Sequence, residues 1–174
     1  MNRMKTAAIF VLMWLVAIPV WGHQAKQHAK SGIPKFDGTW VLNRDKSSGL
    51  TGALGNAEIR MVVTQDDKQL TAEQKVVIRN REQPSQELVY KLDGSENEIE
   101  VVRPLAGSMK LKAKWLDGSK VLELHSTITG ENEGKPATIT TLEQWQLIGD
   151  TLRIIRTRKS PQGTLTFKLI FQKQ

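Results

Sequence analysis

The sequence predicts an all-β chain, an antiparallel up-and-down meander of about ten strands that closes into a β-barrel. Three observations predict it. Strand-length runs, several of them alternating apolar and polar residues, succeed one another from residue 57 to the end. Short polar turn clusters separate them at nearly regular spacing. Beyond residue 22 no stretch carries a helical period over an ordinary helix length.

The 174 residues divide into three parts. Residues 1–22 read as a signal peptide: Met1-Asn2-Arg3-Met4-Lys5 is a basic start, Thr6 to Val20 is apolar, and Val20-Trp21-Gly22 offers a cleavage site. An uncleaved anchor is the alternative reading, since Trp21 extends the run to about 16 residues, against roughly 20 for a full span. Residues 23–35 read as a polar, flexible leader containing Lys26, Lys30, Gly32, Pro34 and Lys35. Residues 36–174 are then one domain, long enough for a sizeable core. The expected location is outside the cytoplasm, periplasmic or extracellular, with no stable membrane insertion after cleavage.

Composition narrows the classes further. There is no cysteine, which removes disulfides, thiol chemistry and a lipid-modified cysteine together. The formal charge is +7, and loss of Arg3 and Lys5 leaves 23 Lys+Arg against 18 Asp+Glu, or +5. A solvated basic surface accounts for that charge, with a mild bias toward anionic partners.

The first strand lies in Phe36-Asp37-Gly38-Thr39-Trp40-Val41-Leu42-Asn43-Arg44-Asp45-Lys46-Ser47. Gly38 admits a close backbone approach, and Trp40 and Leu42 share one face, so a large ring plugs the barrel floor. Ser47 to Asn56 holds Gly49, Gly52 and Gly55 and is expected as a loop that crosses a barrel mouth, without two helices. Strands follow near 57–65, 69–79, 86–92, 98–103, 108–116, 120–129, 137–148, 151–159 and 164–172. The turns between them centre on Asp66-Asp67-Lys68, Asp93-Gly94-Ser95, Asp117-Gly118-Ser119, Gly149-Asp150 and Pro161-Gln162-Gly163. Alternation is clearest in Met109 to Trp115, where Lys110, Lys112 and Lys114 take the outer face. Leu165, Phe167, Leu169 and Phe171 form the apolar face of the last strand, so the chain is expected to end inside the sheet.

Gly38-Thr39-Trp40 with Leu42, followed by Asp45-Lys46-Ser47, resembles the start of the lipocalin and fatty-acid-binding-protein superfamily, the calycin-type barrels, and within it the small bacterial lipocalin-like domains. The likeness covers 36–174 as architecture. It implies a lipocalin-like β-barrel that holds a small apolar or amphipathic molecule. The helix-turn-helix after the first strand of fatty-acid-binding proteins and the Thr-Asp-Tyr signature of typical lipocalins are both missing. Where fatty-acid-binding proteins carry Arg-x-Tyr, this chain has Lys168-Leu169-Ile170, so the resemblance transfers no ligand-binding residue.

Catalytic and metal chemistry find little support. His23 and His28 are five apart in the leader, a spacing that suits neither a helix face nor a zinc pattern. His125 shares an outer face with Glu123, while Glu98 and Glu100 alternate with Ile99 and Val101 as solvated residues do. No phosphate-binding loop, nucleophile elbow or dinucleotide fingerprint occurs, and no cofactor, metal or nucleic acid is expected. The chain reads as a non-enzyme.

Polar residues on inward-facing positions are the positive signal for a ligand. Ser126 follows Leu122 and Leu124 in strand parity, and Arg156 follows Leu152 and Ile154. A dry, filled core avoids an unpaired guanidinium, whereas a wet cavity tolerates one. In such a cavity Arg156 would meet a carboxylate or phosphate of the ligand, with Trp115, Trp145 and Ser126 lining the same space; the alternatives are that strand 151–159 twists or bulges so that Arg156 reaches solvent, and that the two tryptophans are packing residues. A filled barrel acting as a cell-envelope structural or interaction module is the alternative.

Overall fold

The computed structural model describes residues 32–132 and 134–174. The predicted signal peptide, His23, His28 and nearly all of the leader lie outside them. The described residues form eleven antiparallel strands: β1 Gly38–Leu42, β2 Glu58–Gln65, β3 Gln69–Ile78, β4 Arg81–Glu82, β5 Glu87–Lys91, β6 Asn97–Val101, β7 Ala106–Leu116, β8 Val121–Asn132, β9 Lys135–Ile148, β10 Thr151–Ser160 and β11 Gly163–Lys173. All-β architecture, meander order and nearly every strand position agree with the alternation and turn signals. The eleventh strand is the two-residue β4, too short to leave a periodic signal.

One ladder runs β4-β3-β2-β1-β11-β10-β9-β8-β7-β6, with β5 also pairing β3. The sheet wraps on itself through β1, which pairs β2 on one side and β11 on the other. Its two ends, β5 and β6, are consecutive in sequence and share no ladder, so a seam remains between them. Expected closure is thus complete except along that seam.

Alternation places the core. In β2 the order Glu58-Ile59-Arg60-Met61-Val62-Val63 is exposed, buried, exposed, buried, exposed, buried, as a strand with one solvated face requires. Trp40, Met61, Leu70, Leu111, Leu122, Leu124, Trp145, Leu152, Ile154 and Phe171 are almost fully buried and belong to one cluster contributed by both ends of the chain. Gln174 is tied to β1, its amide donating to the Thr39 carbonyl at 2.9 Å.

Two details of β11 depart from strict alternation. Leu165 is exposed, lying close to the turn at Gly163, where the strand runs beyond the core. Ile170, on the outer face, is buried because the chain after β1 folds over it. Asn43 N bonds the Ile170 carbonyl at 2.7 Å, and Ser47 Oγ accepts from Ile170 N at 3.0 Å. This segment continues along β11 through a Ser48–Lys168 bridge and ends in a single 3-10 turn, Gly52–Asn56. The expected loop is present, and the half-buried Leu50 and Leu54 pack it against the core. Gly49 is needed here, since φ is +85° and a Cβ would overlap the Thr166 carbonyl oxygen.

The turn aspartates do what their position suggests. Asp66 Oδ1 accepts from Lys68 N at 2.7 Å and Gln69 N at 2.8 Å, and these bonds hold the carboxyl below its ordinary value. Asp93 Oδ1 accepts from the Ser95 hydroxyl at 2.6 Å and the Ser95 amide at 2.8 Å, with the same effect.

Candidate functional site

The polar interior is built on the β9–β10 hairpin. Its turn at Gly149-Asp150 sets Ile148 opposite Thr151, and counting back along both strands sets Glu143 opposite Arg156. Both side chains point inward. Arg156 Nε donates to Glu143 Oε1 at 2.6 Å, with the two side chains 22% and 13% exposed. Arg156 Nη2 donates to Gln74 Oε1 on β3 at 2.8 Å, which ties the hairpin to the far side of the barrel. Trp145 Nε1 donates to Glu143 Oε2 at 2.6 Å, so each carboxylate oxygen has its own donor. The guanidinium that parity assigns to the interior is there, and its charge is met by the protein's own Glu143.

These groups line a cavity of about 60 Å³ together with Tyr90 and Gln86. Met61, Ala72, Leu88 and Leu124 supply its apolar walls. Tyr90 is 5% exposed, and burial, reinforced by the nearby Glu143 charge, pushes its phenol well above the ordinary value. It therefore keeps its proton, and the O–H can donate. Gln86 also lines a second, outer space of about 390 Å³ at the seam, between Pro84-Ser85 ahead of β5 and Glu100 to Arg103 at the end of β6. Val102 stands 83% exposed at that groove.

Of the four residues expected to line one ligand space, Trp145 and Arg156 are brought together. Ser126 lies across the sheet from Leu111 and Thr141, two residues along β8 from the cavity-lining Leu124, and does not itself line the cavity. Trp115 is elsewhere. Its ring stacks on Phe36 with centroids 6.1 Å apart and lines a separate pocket of about 200 Å³ with Ile33, Lys35, Gln65 and Leu92. The chain ahead of β1 folds back to place Phe36 there, a long-range contact that strand parity does not carry.

Trp40 is 1% exposed and donates through Nε1 to the Phe36 carbonyl at 2.8 Å, while Lys173 Nζ stands 5.5 Å from its ring centroid. Leu42 is half-buried against the core. At Gly38 the Lys173 side chain lies where a Cβ would go, so the close approach is to that side chain. Outside the barrel, Arg153 Nη2 donates to Gln146 Oε1 at 2.6 Å on the neighbouring strand. His125 is exposed and 3.1 Å from Glu123. The Glu123 carboxyl is held below its usual value, first by the Gln144 amide and then by His125.

Glu143, Gln74, Tyr90 and Gln86 are the site residues that sequence reasoning missed. The signal for Glu143 was within reach, because the Gly149-Asp150 turn sets the register that pairs it with Arg156. The other three come from strands and loops that meet the hairpin only when the sheet curls.

No family model matches the sequence, and no curated protein matches it either. Solved structures do. A fatty-acid-binding protein 1 of Echinococcus granulosus has a TM-score of 0.50 at 14% identity, covering 79% of this chain and 96% of that one. The zebrafish ileal bile-acid-binding protein in complex with cholic acid scores 0.45 at 15% identity, covering 80% of this chain and 98% of that one. The chain accordingly shares its fold with the Echinococcus protein.

Proposed function

We propose that this chain is an exported, non-enzymatic protein that binds one small amphipathic molecule, its polar end at the Arg156–Glu143–Gln74 cluster and its apolar part in the groove along the seam. The observation that carries this reading is a hydrogen-bonded polar cluster facing a cavity that shares a wall, Gln86, with an outer groove. Mostly apolar spaces with a few convergent polar groups are the usual form of a small-molecule site. The Echinococcus protein of the same fold is named for fatty-acid binding, which supports a ligand of this class.

The two volumes suit different tasks in this reading. About 60 Å³ accepts a headgroup or a few waters, while the roughly 390 Å³ outside is of the size that ligand pockets have. The small inner space also favours the second reading, a filled barrel that serves as an envelope interaction module. Titration of an anthroyloxy-labelled stearic acid and its methyl ester separates them. Saturable binding of either probe, weakened about tenfold or more in Arg156→Leu, is expected for the binding protein. Absence of saturation with both probes leaves the filled module.

Export is proposed on the order of basic start, apolar run and Val-x-Gly boundary in residues 1–22. N-terminal sequencing of the protein recovered outside the cytoplasm should begin at His23. Recovery of Met1 on membrane-bound protein would replace export with anchoring.

A further inference from the structure

We infer that the barrel selects an uncharged polar headgroup, such as an ester, amide or hydroxyl, over a carboxylate or other anion. This rests on the ligand-binding reading above and narrows it. Arg156 is the cation of the inner cavity, and Glu143 faces it at 2.6 Å, so the pair carries no net charge. Glu143 is also held in place. Its two oxygens accept from Arg156 Nε and Trp145 Nε1, and swinging it aside would strand both donors in a largely buried site.

An anion approaching the free edge of Arg156 comes within reach of Glu143 as well. Attraction to one and repulsion by the other largely cancel, and the cost of dehydrating the incoming charge is left without compensation. A neutral group meets no such penalty. What the cavity does offer is donors. The Tyr90 hydroxyl, the Gln74 and Gln86 amide N–H groups and Arg156 Nη1 make no hydrogen bond among the described residues, and all four residues line the cavity. Among the described residues only Asn97 Oδ1 is a sealed, unpartnered side-chain polar atom; Tyr90 lines the cavity, and its hydroxyl is not such an atom. Its raised pKa keeps it a donor. A carbonyl or hydroxyl oxygen can accept from this set without bringing charge.

The test compares the labelled stearic acid with its methyl ester on the full chain at neutral pH, where the two probes differ by one charge and one methyl group. The ester is expected to bind at least about tenfold more tightly. Glu143→Gln removes the competing negative charge and is expected to shift the preference toward the acid by a similar factor. The wild-type comparison stands by itself if that variant folds poorly. Equal or tighter binding of the acid by the wild type overturns the inference while leaving a binding protein in place. Failure of both probes to saturate overturns the inference together with the binding reading beneath it.

Discussion

Trp40→Ala is expected to lower the unfolding free energy by about 3 to 5 kcal/mol, the usual range for truncating a large buried aromatic. The ring is 1% exposed, and its removal takes away more than apolar contact. Trp40 Nε1 holds the Phe36 carbonyl, and Phe36 in turn sits against both Trp115 and Trp145, at 6.1 and 5.6 Å between centroids. Alanine therefore leaves a cavity and frees the segment that carries Phe36 across the barrel. Urea denaturation followed by far-ultraviolet circular dichroism gives the number. A loss below about 1 kcal/mol would belong to a surface residue and would end the account of Trp40 as the plug of the floor.

Breaking the Arg156–Glu143 pair on one side should cost nearly as much. Glu143→Leu leaves a guanidinium that is 22% exposed with only the neutral Gln74 beside it, and the Trp145 N–H loses its acceptor. Removal of one partner of a buried pair typically costs about 3 to 5 kcal/mol, and residual solvent access at Arg156 places this case toward the lower end. The double replacement Glu143→Leu with Arg156→Leu should recover much of that loss, because no uncompensated charge remains. A double-mutant cycle measures the coupling. Strict additivity of the two single changes would show that the pair stabilises nothing jointly.

How far the molecule could be read in advance depended on the range of the interaction. The strands were legible because each states its own two-residue period: Met109-Lys110-Leu111-Lys112-Ala113 alternates buried and exposed as written. Turns were legible for the same local reason, as Asp66 and Asp93 show by bonding the backbone two and three residues on. The inward direction of Arg156 followed from parity alone. Its partner needed one further step, the register imposed by Gly149-Asp150, and that step leads to Glu143. Gln74, Tyr90 and Gln86 were beyond reach, since their approach to Arg156 depends on how strongly the sheet coils between β3 and β10. Trp115 failed differently. Its parity was right, but Phe36 returns to stack on it and it lines a separate pocket.

Strand β1 has a kinetic consequence. The hairpins from β7 to β11 each join neighbours in the chain and can form early and independently. Trp40, by contrast, faces Met61 on one side and Lys173 on the other, and the second pairing spans almost the whole domain. Bringing such distant segments together costs loop entropy before any contact rewards it, so this pairing is expected to form late, after the local hairpins. Until β11 is available, a growing chain holds a row of finished hairpins around a core that still lacks its floor.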